Sequence, residues 1–242
     1  MKEKLKDLSK KWWFWVIIVV VIIGFIAILG SDTSKDYDSK DHDTNYGEST
    51  NNNSSEKEEK PKELTESEKM IVKISGLIDE GLAFDTGSYI KGDIPKGEYA
   101  FVKFDGSGSY YSEEDASDNI IDNENFDSFG YVKVHEAGNL TTKGVLVSVS
   151  AFEKLGVSSA KEIYEILNDQ KDYNQGAWYK VGTDIEAGTY VIESMGSAYY
   201  AIMTGPVGDS DIVNNDNFNG KKQVTVTNGQ YLKVSRATIT KQ

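Results

Sequence analysis

Hydrophobic positions along this chain follow three periods in succession. Trp12 to Leu29 is an unbroken run, apolar except for Gly24. As a helix it spans ~27 Å, close to a hydrocarbon core of ~30 Å. Residues 30–64 then carry almost nothing apolar. From Thr65 onward short helical stripes alternate with period-two stretches. Met70, Ile74, Leu77 and Ile78 share one helical face, and Thr65 with Glu68 has capping-box spacing. Ala160, Ile163, Tyr164 and Leu167 repeat the stripe, and Ser159 with Glu162 repeats the box. After each stripe the period drops to two. Gly97–Phe104 and Gly188–Glu193 are predicted strands.

The two stretches resemble each other residue by residue. Asp93-Ile-Pro-Lys-Gly-Glu-Tyr99 is answered by Asp184-Ile-Glu-Ala-Gly-Thr-Tyr190 at an offset of 91 residues. Asn119–Phe126 is answered by Asp211–Phe218 at an offset of 92. Two matches in the same order imply a duplicated module. The expected fold is mainly β with short helices. It comprises two tandem antiparallel β-sandwich or roll modules, each preceded by a helix, behind an N-terminal transmembrane helix. The expected domains are a cytoplasmic tail (1–11), the transmembrane helix (12–29), a disordered acidic stalk (30–64), module one (65–150) and module two (151–242).

The repeated Asp-Ile-x-x-Gly-x-Tyr reads as a tight turn leading into a strand, with Pro95 and Gly97 or Gly188 at turn positions. That chemistry accounts for Asp93 and Asp184 without a catalytic role. Val224–Val234 reads as a hairpin about Asn228-Gly229, in the register that sets Val224 opposite Leu232. In the first module the corresponding loop, 135–144, is expected to be seven residues longer.

Charge sets the orientation of the apolar run. Five Lys precede it within residues 1–11, while Asp32 and Asp36 follow. The positive-inside rule places the N-terminus in the cytoplasm and the bulk of the chain outside. A cleavable signal peptide is the rival reading. The run is long, and small residues are not paired at the −3 and −1 positions, so an uncleaved single-pass anchor is expected. The net charge of −13 leaves an acidic ectodomain, which argues against nucleic acid as a partner. The chain has no Cys, which excludes disulfides, thiolate metal sites and thiol catalysis.

No stretch carries a recognisable catalytic motif, so no catalytic residue is assigned and the chain is read as a non-enzyme. His42 lies in the stalk, and His135 has Thr227 at its duplicate position. Gly106-Ser107-Gly108 lacks the Lys-Ser/Thr of a phosphate loop and reads as a turn. No metal site or cofactor is assigned. Calcium is the one candidate, because Asn215, Asn217, Asn219 and Gly220 echo the start of an EF-hand loop, although Val226 stands where its Glu belongs. Tyr110, Tyr111, Tyr199 and Tyr200 recur as pairs, with Trp178 nearby. Aromatics facing outward could form a ligand platform.

Gly176-Ala-Trp-Tyr-Lys-Val-Gly-Thr-Asp-Ile-Glu-Ala-Gly-Thr-Tyr190, with Asn217-Phe218 and Asn228–Leu232, resembles a repeat of uncharacterised, membrane-anchored surface proteins of Gram-positive bacteria. The likeness is good over 176–239 and weaker over 88–149, where Ser88-Tyr89-Ile90-Lys91-Gly92 departs from the pattern. It implies a β fold at the cell surface and transfers no catalytic residue. The expected function is a membrane-anchored extracellular protein with duplicated non-catalytic binding modules, taking cell-wall polysaccharide or another surface protein. The alternatives are a cell-wall hydrolase with one active module, or a structural or regulatory partner of another membrane protein.

Overall fold

Helix α1 (Glu66–Asp79) begins at a full capping box. The Thr65 hydroxyl accepts from the Glu68 amide, and the Glu68 carboxylate accepts from the Thr65 amide. Met70, Ile74 and Leu77 are buried along its inner face. The computed structural model describes residues 63–242. The tail, the span at 12–29 and all but the end of the stalk lie outside the described residues. Among the described residues no helix is long and apolar enough to cross a membrane.

The first stretch of strands runs β1 (Ala83–Phe84), β2 (Gly87–Tyr89), β3 (Gly97–Val102), β4 (Tyr110–Glu114), β5 (Ile120–Asn125), β6 (Phe129–Val134), β7 (Leu140–Thr142) and β8 (Val145–Ser148). They form two antiparallel sheets, ordered β1-β8-β3-β6 and β2-β7-β4-β5. A 3-10 turn (Val149–Ala151) and helix α2 (Phe152–Leu155) follow, ended by Gly156 in the left-handed region at φ 77°. Helix α3 is Ala160–Leu167. The second stretch, β9 (Ala177–Lys180), β10 (Gly188–Met203), β11 (Ile212–Phe218), β12 (Lys221–Val226) and β13 (Tyr231–Lys241), forms one sheet ordered β11-β10-β13-β9, with β12 also on β10.

Pairing registers in the two stretches correspond. Gly97 faces Val134 as Gly188 faces Val226. Tyr110 faces Asn125 as Tyr199 faces Asn217. Tyr111 faces Thr142 as Tyr200 faces Val234, and Tyr89 faces Leu140 as Tyr179 faces Leu232. In the first stretch β3 and β4 are separate strands. In the second the single strand β10 does the work of both, and its register with β13 shifts between Ser194 and Tyr199.

The motif Gly-x-Tyr has a packing explanation. The Tyr99 hydroxyl donates to the Pro95 carbonyl and the Tyr190 hydroxyl to the Glu186 carbonyl, both at 2.8 Å. Tyr89 and Tyr179 cap Asp85 and Gln175 in the same way. Each ring folds back along its own strand entry. A Cβ on Gly97 would sit 3.4 Å from the Tyr99 ring, in ordinary contact with it. The motif's Asp closes the turn. Asp93 accepts from the Ile90 amide at 3.1 Å, and Asp184 from the Lys180 amide at 2.7 Å.

Three sequence expectations are corrected. Strands β12 and β13 do not form a hairpin, because both pair with β10. Asn228-Gly229 does make a tight turn, with the Gln230 amide donating to the Thr227 carbonyl and Gly229 at φ 87°. The chain leaving it crosses β10 rather than returning along β12. The stretch 135–144 is not an enlarged loop, since it contains β7. Thr142 holds the place of Val234, so no insertion separates it from Val134. At α3 the Ser159 hydroxyl accepts from the Glu162 amide, but the Glu162 carboxylate reaches the Ser158 amide instead of closing a box.

A single cluster of buried side chains runs from Met70 to Ile239 through both stretches, and residues 65–242 form one compact unit. Phe126 stacks on Phe101 at 4.4 Å and meets Trp178 edge-on at 6.4 Å. Gly130 makes that possible. A Cβ there would lie 2.2 Å from the Phe126 ring and 2.9 Å from Trp178.

Candidate functional site

The antiparallel register of β9 and β13 sets Trp178 opposite Lys233 and Lys180 opposite Tyr231. Each lysine lies over aromatic rings and meets a glutamate from the first stretch. The Lys180 ammonium is 5.4 Å from the Tyr131 ring and 5.5 Å from Tyr231, and it pairs with Glu98 at 2.6 Å. The Lys233 ammonium is 5.4 Å from the Trp178 ring and 5.6 Å from Tyr199, and it pairs with Glu124. The Trp178 indole N–H also donates to Glu124, at 3.1 Å. The Tyr231 hydroxyl donates to Glu98 at 3.0 Å, and burial pushes its pKa well up, so it stays a donor. Partly desolvated cation–aromatic contacts of this kind contribute about 1–2 kcal/mol each.

Beside the second of these clusters lies a recess of about 290 Å³. Trp178, Tyr199, Asn125, Asp127, Asn217 and Arg236 line it, along with Lys233 and Glu124. Planar amides, two carboxylates, one ammonium and one guanidinium thus surround two aromatic rings. Such a mix of apolar walls and a few directed polar groups suits a small polar ligand.

Of the five aromatic residues singled out from the sequence, only Trp178 and Tyr199 line the recess. Trp178 is 5 % exposed, so little of its ring reaches the recess. Tyr199 is half-buried, and its hydroxyl accepts from Asn215 at 3.1 Å. Tyr111 and Tyr200 do not line the recess. Strand alternation turns both into the core, at 0 % and 4 % exposed. The Tyr111 hydroxyl is 3.5 Å from Glu113, and that of Tyr200 donates to Asn214 at 2.9 Å. Tyr110 is half-buried on β4 and does not line the recess. In the first stretch Ser88 holds the place of Trp178, so the tryptophan ring of the recess has no counterpart there.

Lys233, Arg236, Glu124 and Asp127 were not foreseen. One signal was available, because Arg236 is the only arginine in the chain. Asn215 and Asn217 lie in the extended strand β11 and not in a loop, so the EF-hand echo has no structural counterpart. Among the described residues no group of three or more His, Asp and Glu is placed to hold a metal ion.

Two further buried carboxylates are structural. Glu113, 2 % exposed, accepts from the His135 amide at 2.8 Å and meets its Nδ1 at 3.0 Å. Asp184 accepts from the Lys161 amide at 2.9 Å, the Lys180 amide and the Tyr131 hydroxyl. Burial nevertheless pushes its carboxyl up to about 6, since desolvation outweighs those hydrogen bonds. No protein-family model matches the chain, and no curated protein does either.

Proposed function

We propose that this chain is a membrane-anchored surface protein whose residues 65–242 are two tandem copies of one non-catalytic binding module, and that it holds a saccharide of the cell envelope. The recess at Trp178 and Tyr199 carries this reading. Sugar rings offer C–H faces to aromatic side chains and hydroxyls to planar polar groups. Tyr199 supplies the first, and Asn125, Asn217 and Asp127 the second. Matching strand registers support the duplication. Fusion of the copies creates one recess at their junction, in place of two equivalent patches. The anchor is the apolar run 12–29, with the N-terminus cytoplasmic and the modules outside.

A protein partner is the second reading. Its support is the exposed apolar pairs Ile120-Ile121 and Ile212-Val213 on the edge strands β5 and β11.

The test is binding of the full chain to purified envelope polysaccharide. Tyr199→Ala should weaken binding tenfold or more, whereas Tyr110→Ala, outside the recess, should leave it unchanged. Equal binding by wild type and Tyr199→Ala would remove the recess as the site.

A further inference from the structure

Arg236 sits where β13 departs from the pattern of the first stretch. Thr142 and Val234 are equivalent through their tyrosine partners, 92 residues apart. Val102 faces Val145 as Glu193 faces Thr238, where the separation has grown to 93. One extra residue has therefore entered β13 between those points. Arg236 lies there unpaired in an irregular bulge, opposite residues 195–198 of β10, with Ser235 paired to Tyr199 and Ala237 to Ser194. Its φ is 53°, in the left-handed region that a long side chain rarely adopts. A bulge re-aims a side chain, and this one delivers the chain's only guanidinium to the lining of the recess.

The other basic groups nearby are committed. Lys233 is paired to Glu124, and Lys180 to Glu98. Arg236 is exposed and, among the described residues, forms no ion pair and no side-chain hydrogen bond. Asp127 lines the same recess without pairing to it. An open guanidinium matches a carboxylate, which it can hold through two parallel N–H donors. The neighbouring carboxylates of Asp127 and Glu124 disfavour a dianionic phosphate, but Asp127 can accept from hydroxyls. One carboxylate surrounded by hydroxyls is the chemistry of a sugar acid.

We propose that Arg236 is the specificity-determining residue of the recess and that the ligand is a uronic-acid-bearing saccharide. This rests on the saccharide reading above. Its test is titration calorimetry of the full chain with trigalacturonic acid and with its neutral methyl ester. Wild type should bind the acid at least tenfold more tightly than the ester. Arg236→Gln should lose at least tenfold for the acid and nothing for the ester, with Arg236→Lys falling between. Tyr199→Ala should weaken both. Equal affinity for acid and ester, or an Arg236→Gln variant that binds the acid normally, overturns the role of Arg236 and leaves the saccharide reading standing. No binding of either probe by wild type overturns the uronic-acid assignment, and unchanged binding by Tyr199→Ala overturns both.

Discussion

The Tyr131 hydroxyl donates to the Asp184 carboxylate at 3.0 Å while accepting from the Ala160 amide at the same distance. One phenol from β6 therefore joins the start of α3 to the turn before β10. Tyr131→Phe would leave a buried carboxylate one donor short and a helix amide unpaired. It should cost about 1–3 kcal/mol, read as a lower urea midpoint at unchanged slope.

The same carboxylate has a pH signature. The folded Asp184 carboxyl titrates at about 6 against 3.8 for the ordinary group. Between those values the folded chain holds a proton that the unfolded chain has released. The stability from this group is full below about pH 4 and is lost as the pH rises to about 6. The loss is on the order of 3 kcal/mol. Asp184→Asn should flatten this part of the stability profile relative to wild type. Parallel profiles for the two proteins from pH 4 to 6 would show that Asp184 does not titrate there.

Glu113 accepts from the His135 amide and meets the His135 ring, so removing the ring leaves one buried oxygen short of its nearest partner while the amide bond stays. His135→Ala should destabilise by about 1–3 kcal/mol. Glu113→Gln in the His135→Ala background should recover part of that loss. A coupling energy of about 1–3 kcal/mol in the four-member cycle is the expected result. A value near zero would mean that the pair does not act as a unit.

Trp178 fills the junction of the two stretches. Trp178→Ala should cost about 3–5 kcal/mol. Trp178→Phe keeps a ring against Phe126 but loses the bond to Glu124, for about 1 kcal/mol. Thermal unfolding of both variants, with the larger fall in Tm for alanine, checks this.

Much of the strand pattern was legible because its signals are local. Gly-x-Tyr announces a strand entry wherever the ring can cap the carbonyl four residues back. The capping box at Thr65 and Glu68 needs only four residues. Asn228-Gly229 likewise encodes its own turn. The path of the chain beyond that turn was not legible, because β13 pairs with β10, a strand long enough to take both β12 and β13. The burial of Tyr111, Tyr200 and Trp178 is equally non-local. Alternation says that one of two adjacent tyrosines turns inward but not which one. Nothing near Trp178 reveals that Glu124 and Phe126 will cover it. The recess arises from the same docking, so its lining could not be read from either stretch alone.

The most direct test of recess binding is hydrogen–deuterium exchange of the full chain with and without envelope polysaccharide. Protection should appear together at 124–127, 177–178 and 233–236, the segments that line the recess. Protection confined to β4 around Tyr110, or to the edge strands β5 and β11 away from the recess, would contradict it.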